Sequence, residues 1–95
     1  MRWEVFITPS ALKDIEAAKE YYNQAATGLG DTFCDTIASF IDKISVNPFA
    51  SAKRYKEIRC KPVIRFLYLI LFVADEETHS IQILRIFNTH QDPLW

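Results

Sequence analysis

The chain opens on an alternation. In RWEVFIT, residues 2–8, Trp3, Val5 and Ile7 fall on one side of an extended segment, the period of a half-buried strand. Thr8-Pro9 then supplies a helix cap and a proline suited to the first helical position. Ala11, Ile15, Ala18 and Tyr22 follow at helical spacing, on one stripe with Leu12, while Lys13, Glu16, Lys19, Glu20 and Asn23 cover the rest. This predicts an amphipathic helix from residue 9 to about 25. TGLGD interrupts it, and a second helix is predicted over 29–46, with Phe33, Ile37, Phe40, Ile41 and Ile44 on one face. Asn47-Pro48 ends it. The short connection makes an antiparallel hairpin, and its two apolar stripes need a sheet to lie on.

The second half supplies the sheet. KRYKEIR, 53–59, reads as an edge strand. VIRFLYLILFVA, 63–74, is rich in β-branched and aromatic residues and reads as a central strand. DEETH makes a turn and SIQILRIFN, 80–88, the last strand. The expected architecture is α+β in the order β-α-α-β-β-β, a helical hairpin on one face of a mainly antiparallel four-stranded sheet, with residues 1–95 forming one domain. The central strand is apolar on both faces: Phe66, Tyr68, Ile70 and Phe72 on one, Leu67, Leu69, Leu71 and Val73 on the other. The second face therefore calls for cover, from a terminal segment such as Pro93-Leu94-Trp95 or from a partner.

Composition narrows the class. The most apolar run, 63–74, is interrupted by Arg65 and is shorter than the roughly 20 residues that cross a bilayer. Met1 leads straight into a strand pattern instead of a signal peptide, so a cytoplasmic protein with no membrane association is expected. Cys34 and Cys60 are expected as buried free thiols, and neither they nor His79 and His90 stand at metal-ligand spacing, so no metal and no cofactor is expected. Net charge is −1 but unevenly spread: residues 51–74 carry Lys53, Arg54, Lys56, Arg59, Lys61 and Arg65 against Glu57 alone. Such a patch meets phosphates or an acidic partner, or guards an exposed sheet edge.

The ordered set of TPSALKDIEAAKEYY, GLGDTFCDTIASFIDKISVNP, KRYKEIR, FLYLILFV and IQILRIFNTHQDP resembles the RelE/ParE superfamily of bacterial toxins, in its ParE-like, plasmid stabilisation branch, over nearly the whole chain. The resemblance implies the toxin of a type II toxin–antitoxin pair, neutralised by a cognate antitoxin that lays a helix beside the hairpin and a strand along the sheet. ParE-like members poison DNA gyrase by binding it; RelE-like members are ribosome-dependent mRNA endonucleases. Cleavage by 2′-OH attack needs a base, an acid and a cation on the scissile phosphate. The two arginines that RelE-like toxins use fall on Tyr68 and Gln91 here, and neither can act as a guanidinium. The plasmid stabilisation branch commonly ends its last strand in His-Thr-Ser-Arg-Asp-Pro, where this chain has Asn88-Thr89-His90-Gln91-Asp92-Pro93.

The favoured expectation is therefore a protein-binding toxin. Its target would meet Lys56, Arg59, Arg65, Arg85, His90 and Gln91, and its antitoxin would meet Trp3, Tyr21, Tyr22, Phe40, Leu69 and Leu71. An mRNA endonuclease built on Arg65, Arg85 and His90, and a non-toxic relative that keeps only the antitoxin-binding surface, stand as alternatives. A homodimer is compatible with each.

Overall fold

The computed structural model describes residues 2–89. Strand β1 (Glu4–Ile7) leads into helices α1 (Pro9–Ala25) and α2 (Leu29–Val46). A 3-10 turn at Pro48–Ala50 passes to β2 (Lys53–Tyr55) and β3 (Ile58–Val63), and a second at Ile64–Phe66 to β4 (Tyr68–Asp75) and β5 (Ser80–Asn88). The sheet runs β1-β5-β4-β3-β2, with β1 parallel to β5 and the other neighbours antiparallel. This is the expected α+β architecture with five strands instead of four.

Both differences from the expected strands come from residues at positive φ. Lys56 (φ 51°) folds KRYKEIR into a hairpin, so one edge strand becomes β2 and the start of β3. Leu67 (φ 57°) closes the turn that ends β3 and begins β4, which divides the run 63–74 and takes Phe66 and Leu67 out of the strand. Turns of this kind favour glycine or asparagine. A turn built from Ile, Arg, Phe and Leu contains none of the residues that mark a turn, and a single arginine in an apolar run does not distinguish a turn from a strand.

The helices form where expected, for the expected reasons. Thr8 Oγ1 accepts the N–H of Ala11 and so caps α1, and Pro9 occupies its first turn. The same hydroxyl shares its proton between the carbonyls of Ile83 (2.9 Å) and Leu84 (3.0 Å), which ties the helix start to β5. Gly30 brings α2 against α1. A Cβ there would stand 2.2 Å from the Lys19 carbonyl oxygen, and its N–H donates to Asn23 Oδ1 at 2.8 Å.

The main core joins Ala11 and Ala18 of α1, Phe33, Ile37 and Ile44 of α2, and Ile70, Phe72, Ile81 and Ile83 of the sheet. Each large side chain buried there contributes roughly 1.5–3 kcal/mol. Leu12, expected on the buried stripe, is half-exposed, because it sits to the side of the sheet that Ala11 faces. On the far face of the sheet Cys60, Leu71 and Phe87 are buried among Ile58, Leu69 and Leu84. The terminal segment Pro93-Leu94-Trp95, expected as a cover for that face, lies outside the described residues. Cys60 is buried and free as expected, whereas Cys34 is free and only half-buried. No helix among the described residues is long and apolar enough to cross a membrane.

Candidate functional site

Strand β1 pairs with β5 only as far as Ile83, while β5 runs on to Asn88. Helix α1 lies along the flank that β1 leaves open, and a groove of about 620 Å³ forms between them. Its α1 wall is Asp14, Ala17, Ala18, Tyr21 and Tyr22; its other wall is Arg65, Phe66 and Leu67 with Tyr68, Arg85, Ile86 and Asn88. The two alanines keep the helix surface low, and aromatic rings form the floor. Tyr22 packs on Phe33 (5.3 Å between centroids) and Phe66 (5.1 Å), and Phe33 on Tyr68 (5.1 Å). Burial, reinforced by the adjacent Tyr68 phenol, pushes the Tyr22 hydroxyl up to about 12. Tyr21, by contrast, is 67% exposed at the rim.

Two arginines line this groove in opposite states. Arg85 grips Asp14 with both ends of its fork, Nε to Oδ2 at 2.7 Å and Nη2 to Oδ1 at 3.1 Å. Asp14 Oδ2 also accepts the backbone N–H of Ile86 at 3.0 Å, an amide on the flank beyond β1. One carboxylate thus satisfies a guanidinium and an open sheet edge. A β-bulge makes this possible: Leu71 pairs with Arg85 and Phe72 with Ile83, so Leu84 is the extra residue. Such a bulge re-aims the side chain beside it, which here delivers Arg85 to α1. Arg65 stands in the 3-10 turn, exposed, with its Cζ 5.5 Å from the Phe66 ring centre, and forms no ion pair with any described residue. The turn that carries it is pinned by Thr89, whose N–H and hydroxyl both donate to the Leu67 carbonyl (2.9 and 2.7 Å).

The groove gathers Tyr21, Tyr22, Arg65 and Arg85 from the residues expected for a site, and disperses the others. Lys56 sits in the β2–β3 turn over the Tyr55 ring. Arg59 donates to the Ser51 carbonyl (2.7 Å) and lies 4.9 Å from the Phe49 ring centre. Trp3 meets Phe49 edge-on and stacks on His79 at 4.1 Å. Phe40 carries Lys43 and Lys61 over its ring. Leu69 and Leu71 belong to the far face of the sheet. The expected antitoxin contacts therefore form no single surface, because their positions on different elements point to opposite sides of the sheet. His90 and Gln91 lie outside the described residues. Asp14 was the residue sequence reasoning missed. It is 71 positions from Arg85, and one acidic residue on a helix face gives no sign of its partner.

Comparison with known proteins follows the same lines. A family model described as the ParE toxin of the type II toxin–antitoxin system parDE matches residues 5–93. A search of curated protein sequences finds no match. Among solved structures, the fold is similar to the chromosomal ParDE toxin–antitoxin system from P. aeruginosa, with a TM-score of 0.79 and 19% identity over 92% of this chain and 96% of that one. It is similar to the RelBE2 toxin–antitoxin complex from Mycobacterium tuberculosis, with a TM-score of 0.63 and 16% identity over 93% and 99%. The archaeal RelE-RelB complex from Pyrococcus horikoshii gives a TM-score of 0.60 and 11% identity over 97% and 100%.

Proposed function

The chain belongs to the ParE toxin family of type II toxin–antitoxin systems, and on that premise we propose that it poisons a protein target by binding it and is neutralised by a cognate antitoxin whose segment fills the α1–β5 groove. The observation that carries this reading is the state of the groove's two arginines. Arg85 is committed to Asp14 and the sheet edge, so it is not poised over a substrate phosphate. Tyr68, at the position where the RelE-like toxins use an arginine, is buried among aromatic rings. What the groove offers is shape: alanines and rings for apolar side chains, and Arg65 at the rim for a carboxylate. That suits an antitoxin segment of alternating apolar and acidic residues. DNA gyrase is the target the family resemblance implies, and a bacterial cytoplasm is where toxin, antitoxin and gyrase would meet.

One observation favours a second reading, a ribosome-dependent mRNA endonuclease. The β2–β3 hairpin interleaves cations with exposed rings, as RNA-binding surfaces do. Tight, inducible expression in a bacterial host separates the readings. Gyrase poisoning gives a steep loss of viability with a DNA-damage response. Translation arrest with cleaved mRNA would replace it with the nuclease, and undiminished viability would leave an antitoxin-binding relative without toxicity. Arg65→Glu and Tyr21→Ala should each weaken antitoxin binding by about tenfold or more while leaving the fold intact; unchanged affinity in both would remove the groove as the antitoxin seat.

A further inference from the structure

The two edges of the sheet are finished differently. β2 closes one edge with three residues, a register irregularity and Lys53 and Arg54, the usual devices against strand pairing. β1 closes the other with Glu-Val-Phe-Ile, where Phe6 is 51% and Ile7 43% exposed, and Leu12 stands half-exposed one turn into α1. The direction of the β1 backbone follows from its bonds. Glu4 donates to the His79 carbonyl and Thr8 to the Ile83 carbonyl, so even-numbered residues turn their N–H and C=O toward β5. Odd-numbered residues turn theirs outward. Trp3 has already used its outward N–H on the Ser45 carbonyl (2.8 Å), and Pro9 has none to give. Val5 and Ile7 remain, and no other described residue bonds their outward groups.

The geometry points to a second copy of this chain as the occupant of that edge, paired antiparallel across a two-fold axis at Phe6. Only strands can satisfy alternating donors and acceptors of this kind, and antiparallel pairing sets outward-facing residues against outward-facing residues. Three registers test the match. Val5 on Val5 would bring Ile7 to Trp3, whose N–H is spent. Ile7 on Ile7 would bring Val5 to Pro9, which has no N–H. Val5 on Ile7 uses both donors and both acceptors of each copy. It stacks Phe6 on Phe6, sets Glu4 opposite Thr8 and leaves no like charges face to face. The same patch meets itself, so the pairing closes at two copies and joins two five-stranded sheets into one. With two residues of ladder per copy, the dimer is reversible and concentration-dependent.

The test is sedimentation velocity on the full chain made by cell-free synthesis, over a wide concentration range. Dimer should appear as concentration rises, and Phe6→Glu, which sets two carboxylates together on the axis, should raise the dimer dissociation constant about tenfold or more. Phe6→Cys reads the register, since non-hydrogen-bonded partners stand about 4.5 Å apart at Cα, within disulfide reach. Mild oxidation should give a 6–6 link between copies, distinguished from native Cys34 and Cys60 by peptide mapping, and Glu4→Cys should give none. A chain that stays monomeric throughout, a dimer indifferent to Phe6→Glu, or equal cross-linking from Glu4→Cys would each overturn the proposal. So would a chain that never self-associates and protects the Val5 and Ile7 amides from exchange only with antitoxin bound.

Discussion

On one flank of the sheet Arg85 is held by Asp14 and the helix that carries it; on the other, Lys56, Arg59 and Lys61 lie over Tyr55, Phe49 and Phe40. The second flank holds the densest run of basic residues and the first holds the groove. Charge density along a chain measures how many cations a segment displays. A site needs groups from several segments to face one space, and that occurs where α1 covers the open length of β5. None of these three cations has a carboxylate partner among the described residues, and a cation over a solvent-facing ring contributes only about 0.5–1 kcal/mol. The Asp14–Arg85 pair is bidentate, partly shielded and bonded to the backbone, so its loss should be felt by the whole fold.

The sharpest way to break this comparison is to lift α1. Gly30→Ala puts a methyl group against the Lys19 backbone, which cannot yield as a side chain would. It should destabilise the protein by about 3 kcal/mol or more and open the groove, read as a lowered denaturation midpoint. Next comes Asp14→Ala, expected to cost about 2–3 kcal/mol, because Arg85 and the Ile86 amide are both left unpaired. Arg59→Ala on the other flank, which loses one hydrogen bond to the Ser51 carbonyl and the Phe49 contact but strands no charge, should cost less, about 1 kcal/mol. Equal losses from the two substitutions in urea titrations would erase the distinction between the flanks. The smallest effect is a pH dependence. Tyr22 stays neutral to about 12 in the fold, against about 10 for an ordinary tyrosine. As pH rises through 10 the unfolded chain releases this proton first, so stability falls between about pH 10 and 12. Tyr22→Phe should flatten that decline relative to the parent; identical profiles would mean that Tyr22 is not shielded at the groove floor.

The helical hairpin was legible because its signals are local. Thr8, Pro9, Asn47-Pro48 and the stripe of Phe33, Ile37 and Ile44 act within one or two turns of the residues they govern. The last strand, at 80–88, was legible from its bounding turn and apolar pattern. The division of 63–74 was not, since Leu67 takes a glycine-like conformation that its side chain does not advertise. Residue type marks Tyr21, Tyr22, Arg65 and Arg85 as candidates without fixing where they meet, and nothing local marks Asp14.

By itself, then, the sequence determined the α+β class, the order and ends of the helices and the family pattern, each encoded in spacings of a few residues. Only the tertiary structure decided which arginine is locked, where β1 stops short of β5, and that the outward groups of Val5 and Ile7 meet no other described residue. Those outcomes depend on strand register, on a single-residue bulge at Leu84 and on contacts across some seventy positions. Periodicity carries no record of contacts at that separation, because they arise only when the chain is closed into one core.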